Sequence, residues 1–359
     1  MPAFVTFSIG LFLLYFPLYP LWLYWVGKKN SKSVLQDEGI NEPYNKVSII
    51  LPMHNEARYI PQKMENLLNL HTRGKSLEIL VALDGCTDNS KALLQAWRDD
   101  PRIVILEWPM RKGKAYAINQ AVAASTGELL LFCDASQSIA RNAFGLLIGR
   151  LEEPGMVLVS GCLEKGASPS KWGSSLQNYI NWLRKMESRA GWLVGAYGPL
   201  YLMKRKYFKP LDESVILDDL VLPVWVAEQG KGACFEGRAK VWDNRRFTYR
   251  IRFQRAYRMA RGLVKASLWV FKARMPLRFK LMFICHKLLR ILLPFSFLSC
   301  WILLLTLRWK LALTLLGVAL VACLLDDRVR LLAIHNIATL CSLLLWPFFR
   351  KSPAWTCHN

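Results

Sequence analysis

The 359-residue chain has no CxxC pair among its nine cysteines and no HxxxH pair among its five histidines. Zinc knuckles and disulfide scaffolds are built on such spacings. Scattered thiols instead fit a reduced, cytosol-facing or lipid-buried chain. Acid is scarce, with 26 Asp+Glu against 48 Lys+Arg, a formal charge of +22. From Asn244 to Leu325 there is no acidic residue at all. Apolar residues are not scarce: 53% of the chain is hydrophobic and its mean hydropathy is +0.18. That excludes a disordered basic tail and argues against an ordinary soluble enzyme. Two classes carry such a charge: nucleic-acid binders and membrane proteins with Lys and Arg on the cytoplasmic side.

The N-terminal run from Phe4 to Val26 lacks a basic leader and a small-residue cleavage site. An uncleaved membrane anchor is therefore expected rather than a signal peptide. Lys28, Lys29 and Lys32 place the segment after the anchor in the cytoplasm. Three further apolar runs, Leu288 to Leu307, Trp309 to Leu325 and Leu331 to Phe349, are each about long enough to span a bilayer. The polar breaks at 308–310 and 326–330 separate them.

Between the ends, short β-branched runs alternate with amphipathic stretches. Strands are expected at Val47–Leu51, Leu77–Leu83, Ile103–Leu106, Glu128–Cys133 and Met156–Ser160. Helices are expected at Ala57–Leu70, Asn89–Trp97, Lys114–Ala124 and Asn142–Glu152. This alternation implies an α/β unit with a mostly parallel, Rossmann-like sheet, whose ligands bind at the carboxyl ends of the strands. Three polar clusters converge there: Pro52-Met53-His54-Asn55-Glu56, Asp84 and Asp134. A single Asp ending a strand is commonly a turn or cap residue. Several on one rim point to a site.

These residues resemble the family-two glycosyltransferases, in particular the membrane-embedded branch of cellulose, chitin and hyaluronan synthases. The likeness runs in order over about 47 to 262: VSIILPMHNEARYI, LVALDGCTDNS, RKGKAYAINQA, LLLFCDAS, GAYGPLYLMKRKYF, ILDDLVLPVWVAEQGKGACFEG and FQRAYRMARG. Each motif alone is weak, but seven in sequence are not. The resemblance implies a GT-A nucleotide-diphospho-sugar transferase domain that inverts the transferred sugar, with a divalent cation (Mg²⁺ or Mn²⁺) as cofactor.

Such chemistry needs a nucleoside pocket, charge neutralisation for a departing diphosphate, and a base for the acceptor hydroxyl. Asp84 suits the first task, with Asn55 and Glu56 closing the same pocket. Lys114 opens a helix after Gly113, where the helix N-terminus also favours phosphate. Asp134 is the metal candidate, because such cations often take one or two carboxylates plus phosphates. Ser136 replaces the family's usual second Asp, which shifts the ligand burden to Asp134 and the diphosphate. The resemblance makes Asp219 the catalytic base, preceded by Asp218. Adjacent carboxylates repel, which raises at least one pKa. Helix capping would use the same two residues. On the acceptor side the resemblance points to Gly198 and Gln254, and it gives Arg258 the diphosphate. The family's interface Trp is absent, Arg258 following Tyr257 instead.

The acid-free stretch alternates Arg and Lys (Arg245 to Lys280) with Phe247, Tyr249, Phe253, Tyr257, Trp269, Phe271 and Phe279. It reads as helices in the cytoplasmic headgroup layer, with their basic face toward anionic lipid. Because it leads straight into the apolar runs, nucleic acid is not the expected partner. The expected organisation is an anchor at 1–27, a cytoplasmic catalytic domain at 40–243, interface helices at 244–287 and membrane helices at 288–349. The chain would lie in the inner or plasma membrane. The leading reading is a glycosyltransferase moving a sugar from a UDP-sugar to a lipid or polysaccharide acceptor. A processive synthase with coupled export and a transporter subunit with a nucleotide-sensing domain are the alternatives.

Overall fold

A computed structural model describes residues 6, 10–11, 13–29, 44–165, 171–245 and 247–344. An eight-stranded sheet in the order β3-β2-β1-β4-β7-β6-β8-β5 organises the middle of the chain. Its strands are β1 (Lys46–Met53), β2 (Ser76–Asp84), β3 (Ile103–Trp108), β4 (Leu129–Cys133), β5 (Ser138–Ile139), β6 (Met156–Lys165), β7 (Leu200–Lys204) and β8 (Gly232–Asp243). The expected first four strands are present, with β1 and β2 running on to Met53 and Asp84. Near-continuous apolar runs suit strands covered on both faces, and seven successive residues of β1 are buried.

The parallel expectation holds for half of the sheet. β1 pairs in parallel with β2 and β4, and β2 with β3. β7 enters between β4 and β6 antiparallel to both, while β6 and β8 are parallel and β5 runs antiparallel to β8. The sheet is therefore mixed. Strand direction depends on how the chain returns to the sheet, and the apolar run LYLMK carries no mark of direction.

Eleven helices surround the sheet among the described residues: α1 (Tyr19–Lys29), α2 (Ile60–Leu68), α3 (Ser90–Leu94), α4 (Lys114–Ala124), α5 (Ala143–Leu151), α6 (Lys171–Arg189), α7 (Asp218–Glu228), α8 (Tyr249–Lys272), α9 (Leu277–Phe283), α10 (Leu289–Leu325) and α11 (Asp327–Leu344). On one face of the sheet Ile49, Leu51 and Val81 share a buried core with Met64 and Leu67 of α2 and Phe144 and Leu147 of α5. On the other face Ile50, Leu80 and, from β4, Phe132 share a core with Ile118 and Ala121 of α4 and Leu222 of α7. Burying each large apolar side chain contributes about 1.5–3 kcal/mol, so the two cores hold the rim of the sheet in place.

A third core joins the chain's ends to this unit. Tyr19 and Leu23 of α1 meet Leu183 and Met186 of α6, and Val270, Phe279 and Phe283 join the same cluster. The basic stretch thus forms α8, whose small-residue face (Ala256, Ala260, Gly262, Ala266) is buried and packs on α7 and α11. Much of the apolar face expected in lipid is covered by protein. Leu268, Phe271 and Leu277 remain exposed.

In α10 the backbone leaves the helical region at Arg308 (φ −144°, ψ 58°), the place of the expected polar break. Leu277–Leu325 has the length and composition to cross a membrane, alone in this among the described residues, and Val329–Leu344 is a shorter apolar helix. The expected first span falls partly outside the described residues. So do Lys32 and 345–349 at the end of the last span.

Candidate active site

The carboxyl ends of β1, β2 and β4 lie side by side and carry the three polar clusters. Asn55 takes a left-handed backbone conformation (φ 52°), and its Oδ1 accepts from the N–H of Thr87 at 2.7 Å and of Asp88 at 3.3 Å. Asp84 is fully buried. Its two carboxylate oxygens accept from the backbone N–H of Lys112 at 2.6 Å and Gly113 at 2.8 Å. Gly85 (φ 61°) lies so close to the Arg111 backbone that a Cβ would overlap it. Expected on sequence grounds to face a nucleoside, Asn55 and Asp84 are thus engaged in tying the rim turns together. Asp84 in particular anchors the loop that delivers Lys114.

Lys114, at the first position of α4, is the centre of the cluster. Its Nζ lies 3.0 Å from Asp134 Oδ1 and 3.2 Å from Asp218 Oδ1. Burial disfavours its charge, yet the Asp134, Asp218 and Asp219 carboxylates hold it protonated, above the usual lysine range. Burial, the largest influence, pushes Asp134 up, but Lys114, Arg245 and Lys63 together outweigh it and keep that carboxyl below its ordinary value. Tyr201, from β7, donates its hydroxyl to Asp218 Oδ2 at 2.7 Å.

Asp219 makes a different set of contacts. Its Oδ2 accepts from the N–H of Gly198 at 3.2 Å, and its backbone carbonyl from the N–H of Ala196 at 2.7 Å. Burial, and next the charge of Asp218, push its pKa up to about 6. A carboxylate with that pKa is poised to take a proton near neutrality. Glu56 shares the rim. Burial and then the Asp134 charge raise it to about 7, and its Oε2 is buried without a hydrogen-bond partner.

Two guanidinium groups bring further positive charge to the cluster. Burial lowers the pKa of Arg258 on α8, and the charges of Asp134, Asp219 and Asp218 oppose that effect. Arg258 Nε and Arg111 Nε and Nη2 are buried without hydrogen-bond partners. Arg245 and Arg255 stand over the Phe247 ring at 5.0 and 4.4 Å. Gln254 lies exposed on α8, one turn before Arg258. The structure therefore brings Glu56, Lys114, Asp134, Asp218, Asp219, Gly198 and Arg258 together.

Among the described residues no group of three or more His, Cys, Asp or Glu side chains is arranged to hold a metal ion. Ser136 Oγ is turned to Gln137 Oε1 at 3.3 Å. Asp134 is left as a single-carboxylate donor, which suits a cation that draws its other ligands from a diphosphate and water.

Sequence reasoning gave no role to Arg111, Tyr201, Arg184 or Lys287. Arg111 was legible only as part of a basic loop. Arg184 on α6 and Lys287 after α9 line a cavity with Asp219, and no spacing connects them.

Residues 48–211 match the family described as Glycosyl transferase family 2. "Probable glycosyltransferase YdaM" of Bacillus subtilis is 26% identical over 236 residues, covering 60% of this chain and 55% of the relative. An undecaprenyl-phosphate 4-deoxy-4-formamido-L-arabinose transferase of Salmonella newport is 25% identical over 177 residues, covering 48% and 52%. The chain thus spans about half the length of these relatives. A mannosyltransferase of Pyrobaculum calidifontis, solved with GDP-Man and Mn²⁺, superposes with a TM-score of 0.74 over 95% of this chain and 98% of its own, at 22% identity. That likeness is one of fold.

Proposed function

We propose that this chain, which carries a family-2 glycosyltransferase domain, is a membrane-bound inverting transferase. It moves a sugar from a nucleoside diphosphate, with a UDP-sugar as donor, to a lipid or polysaccharide acceptor. The observation that carries the reading is Asp219. Its carboxyl, with a pKa of about 6, stands beside a carboxylate pair bridged by Lys114 and on the wall of a cavity.

In this reading the diphosphate lies among Lys114, Arg111 and Arg258. The unpaired N–H groups of the two arginines suit phosphate oxygens. Asp219 accepts the proton of the acceptor hydroxyl as its oxygen bonds to the anomeric carbon. The bond from that carbon to the diphosphate breaks on the opposite face, and the electron pair leaves with the diphosphate, inverting the centre. The Gly198 N–H holds the Asp219 carboxylate in its working orientation. A divalent cation, when bound, would be held by Asp134 and would neutralise charge on the leaving diphosphate. The apolar stretch Leu277–Leu325 supports attachment to a membrane, and the basic residues of α8 and α9 support contact with anionic lipid.

The family match supports an enzyme over a transporter subunit. The test is a panel of nucleotide sugars given to the purified full chain with Mn²⁺, followed by mass spectrometry of lipid and polymer fractions. Transfer from one UDP-sugar, lost in Asp219→Asn, is expected. Full activity in Asp219→Asn would remove the base assignment, and a product ladder would favour a processive synthase.

A further inference from the structure

Between the catalytic rim and the C-terminal helices lies a cavity of about 210 Å³. Asp219 forms one part of its wall. Arg184 of α6, Lys287 just before α10 and Arg290 in the first turn of α10 form another, and Leu263 and Ile291 are among its apolar lining. Three cations thus share the space with one carboxylate, the proposed base.

These cations are poorly compensated by the protein. Arg184 is 7% and Lys287 9% exposed. Arg184 donates to the carbonyl of Gly195 at 2.6 Å and lies 3.7 Å over the Tyr197 ring, but its Nε is buried without a partner. Lys287 and Arg290 make no ion pair or hydrogen bond among the described residues. The nearby Glu187 meets His286 Nδ1 and the Tyr19 hydroxyl through its Oε1; its Oε2 has no hydrogen-bond partner, and its charge reaches Lys287 only through space. Three cations facing only the Asp219 and Glu187 carboxylates leave an excess of positive charge in a largely buried space, which is unfavourable unless a further anion completes it. A guanidinium pair plus an ammonium matches the oxygens of a phosphate group.

The cavity is also lined by α8, α10 and α11, and α10 exposes leucines such as Leu298, Leu305 and Leu311 along its length. An anion-binding wall continuous with an apolar helix fits an amphiphile better than a sugar chain.

We propose that this cavity is the acceptor subsite and that its occupant is a lipid acceptor whose phosphate is held by Arg184, Lys287 and Arg290 while its sugar-accepting hydroxyl, separate from that phosphate, faces Asp219. Its role in acceptor binding rests on the transferase reading of Asp219. The binding of an anionic lipid does not.

The test uses the full chain in dodecyl maltoside, titrated with dodecyl phosphate, dodecanol and inorganic phosphate and followed by tryptophan fluorescence. Thermal unfolding of each variant controls for folding, and UDP with Mn²⁺ is titrated in parallel. Saturable binding of dodecyl phosphate, at least tenfold tighter than either other probe, is expected. The Lys287→Gln/Arg290→Gln double variant should weaken it at least tenfold, and Arg290→Gln alone, at a partly exposed position, about threefold. Equal affinity for dodecanol would overturn the phosphate assignment, and equal affinity for inorganic phosphate the lipid assignment. Undiminished dodecyl phosphate binding in folded variants would overturn the location. If wild-type protein binds dodecyl phosphate as expected but no panel nucleotide, the transferase reading fails and the anionic-lipid site stands.

Discussion

Pro223 leaves the carbonyl of Asp219 without a helical donor, because the two are four residues apart in α7 and proline has no N–H to give. The N–H of Ala196 fills the place at 2.7 Å. Together with the Gly198 N–H on the side chain, this ties the proposed base to the 196–198 segment at two points. Pro223→Ala supplies a competing N–H and slackens the first tie. Its kcat is expected to fall about tenfold, the scale of a small misplacement at a reacting centre, with donor KM little changed. Steady-state kinetics decide; unchanged kcat would show the tie to be idle.

The acid limb of activity should follow Asp219. The base is the deprotonated form, so kcat/KM should rise as pH climbs through about 6 and level off above. The stability contribution has the opposite sense. The folded pKa is raised above the ordinary 3.8, so the folded state holds the extra proton between about 4 and 6. Stability from this group is therefore lost as pH rises across that window. Glu56, at about 7, adds a second ionisation that Glu56→Gln should remove while leaving the limb near 6. Rate profiles of the two proteins from pH 4.5 to 8.5 separate them.

The parts of the fold set by local pattern were legible. The apolar runs of β1, β2 and β4 read as strands because they are buried on both faces. Asp84 and Asp134 stood out because each ends such a run. Their partners were not legible. Lys114 is joined to Asp134 and Asp218 by the order of strands in the sheet, which no period in the sequence encodes. Asp84 turned inward to Lys112 and Gly113, since a strand-end carboxylate serves a loop or a ligand equally well in sequence. The same limit hid β7's direction and the meeting of Arg184 with Lys287, which lie about a hundred residues apart in the chain.

Lys114 compensates two carboxylates at once, with its side chain 19% exposed and those of Asp134 and Asp218 at 28% and 8%. Lys114→Ala leaves both without their ammonium. Removing one member of a buried pair costs about 3–5 kcal/mol, and a loss toward the lower end is expected at this partial exposure. Asp219 also loses a charge that lowers its pKa, so any remaining activity should show its acid limb displaced to higher pH. Adding Asp218→Asn to Lys114→Ala should recover part of the stability without recovering transfer. Thermal unfolding and pH–rate profiles of both variants provide the check.

Gly262 marks where α8 crosses the start of α7. A Cβ there would lie 2.6 Å from Leu217 Cγ and 3.2 Å from Ile216 Cβ, and Leu217 is the residue that precedes Asp218 and Asp219. Gly262→Ala must therefore push Leu217 aside. The alanine's better helix propensity offsets only about 1 kcal/mol, against about 1–3 kcal/mol for overpacking. A small net destabilisation is expected together with a larger effect on turnover, because the displaced residue sets the entry of the acid pair into α7. Leu217→Ala in the Gly262→Ala background restores the space. It should return kcat toward the wild-type value even though it removes apolar burial. A double variant no faster than Gly262→Ala would show that the crossing does not position the acids.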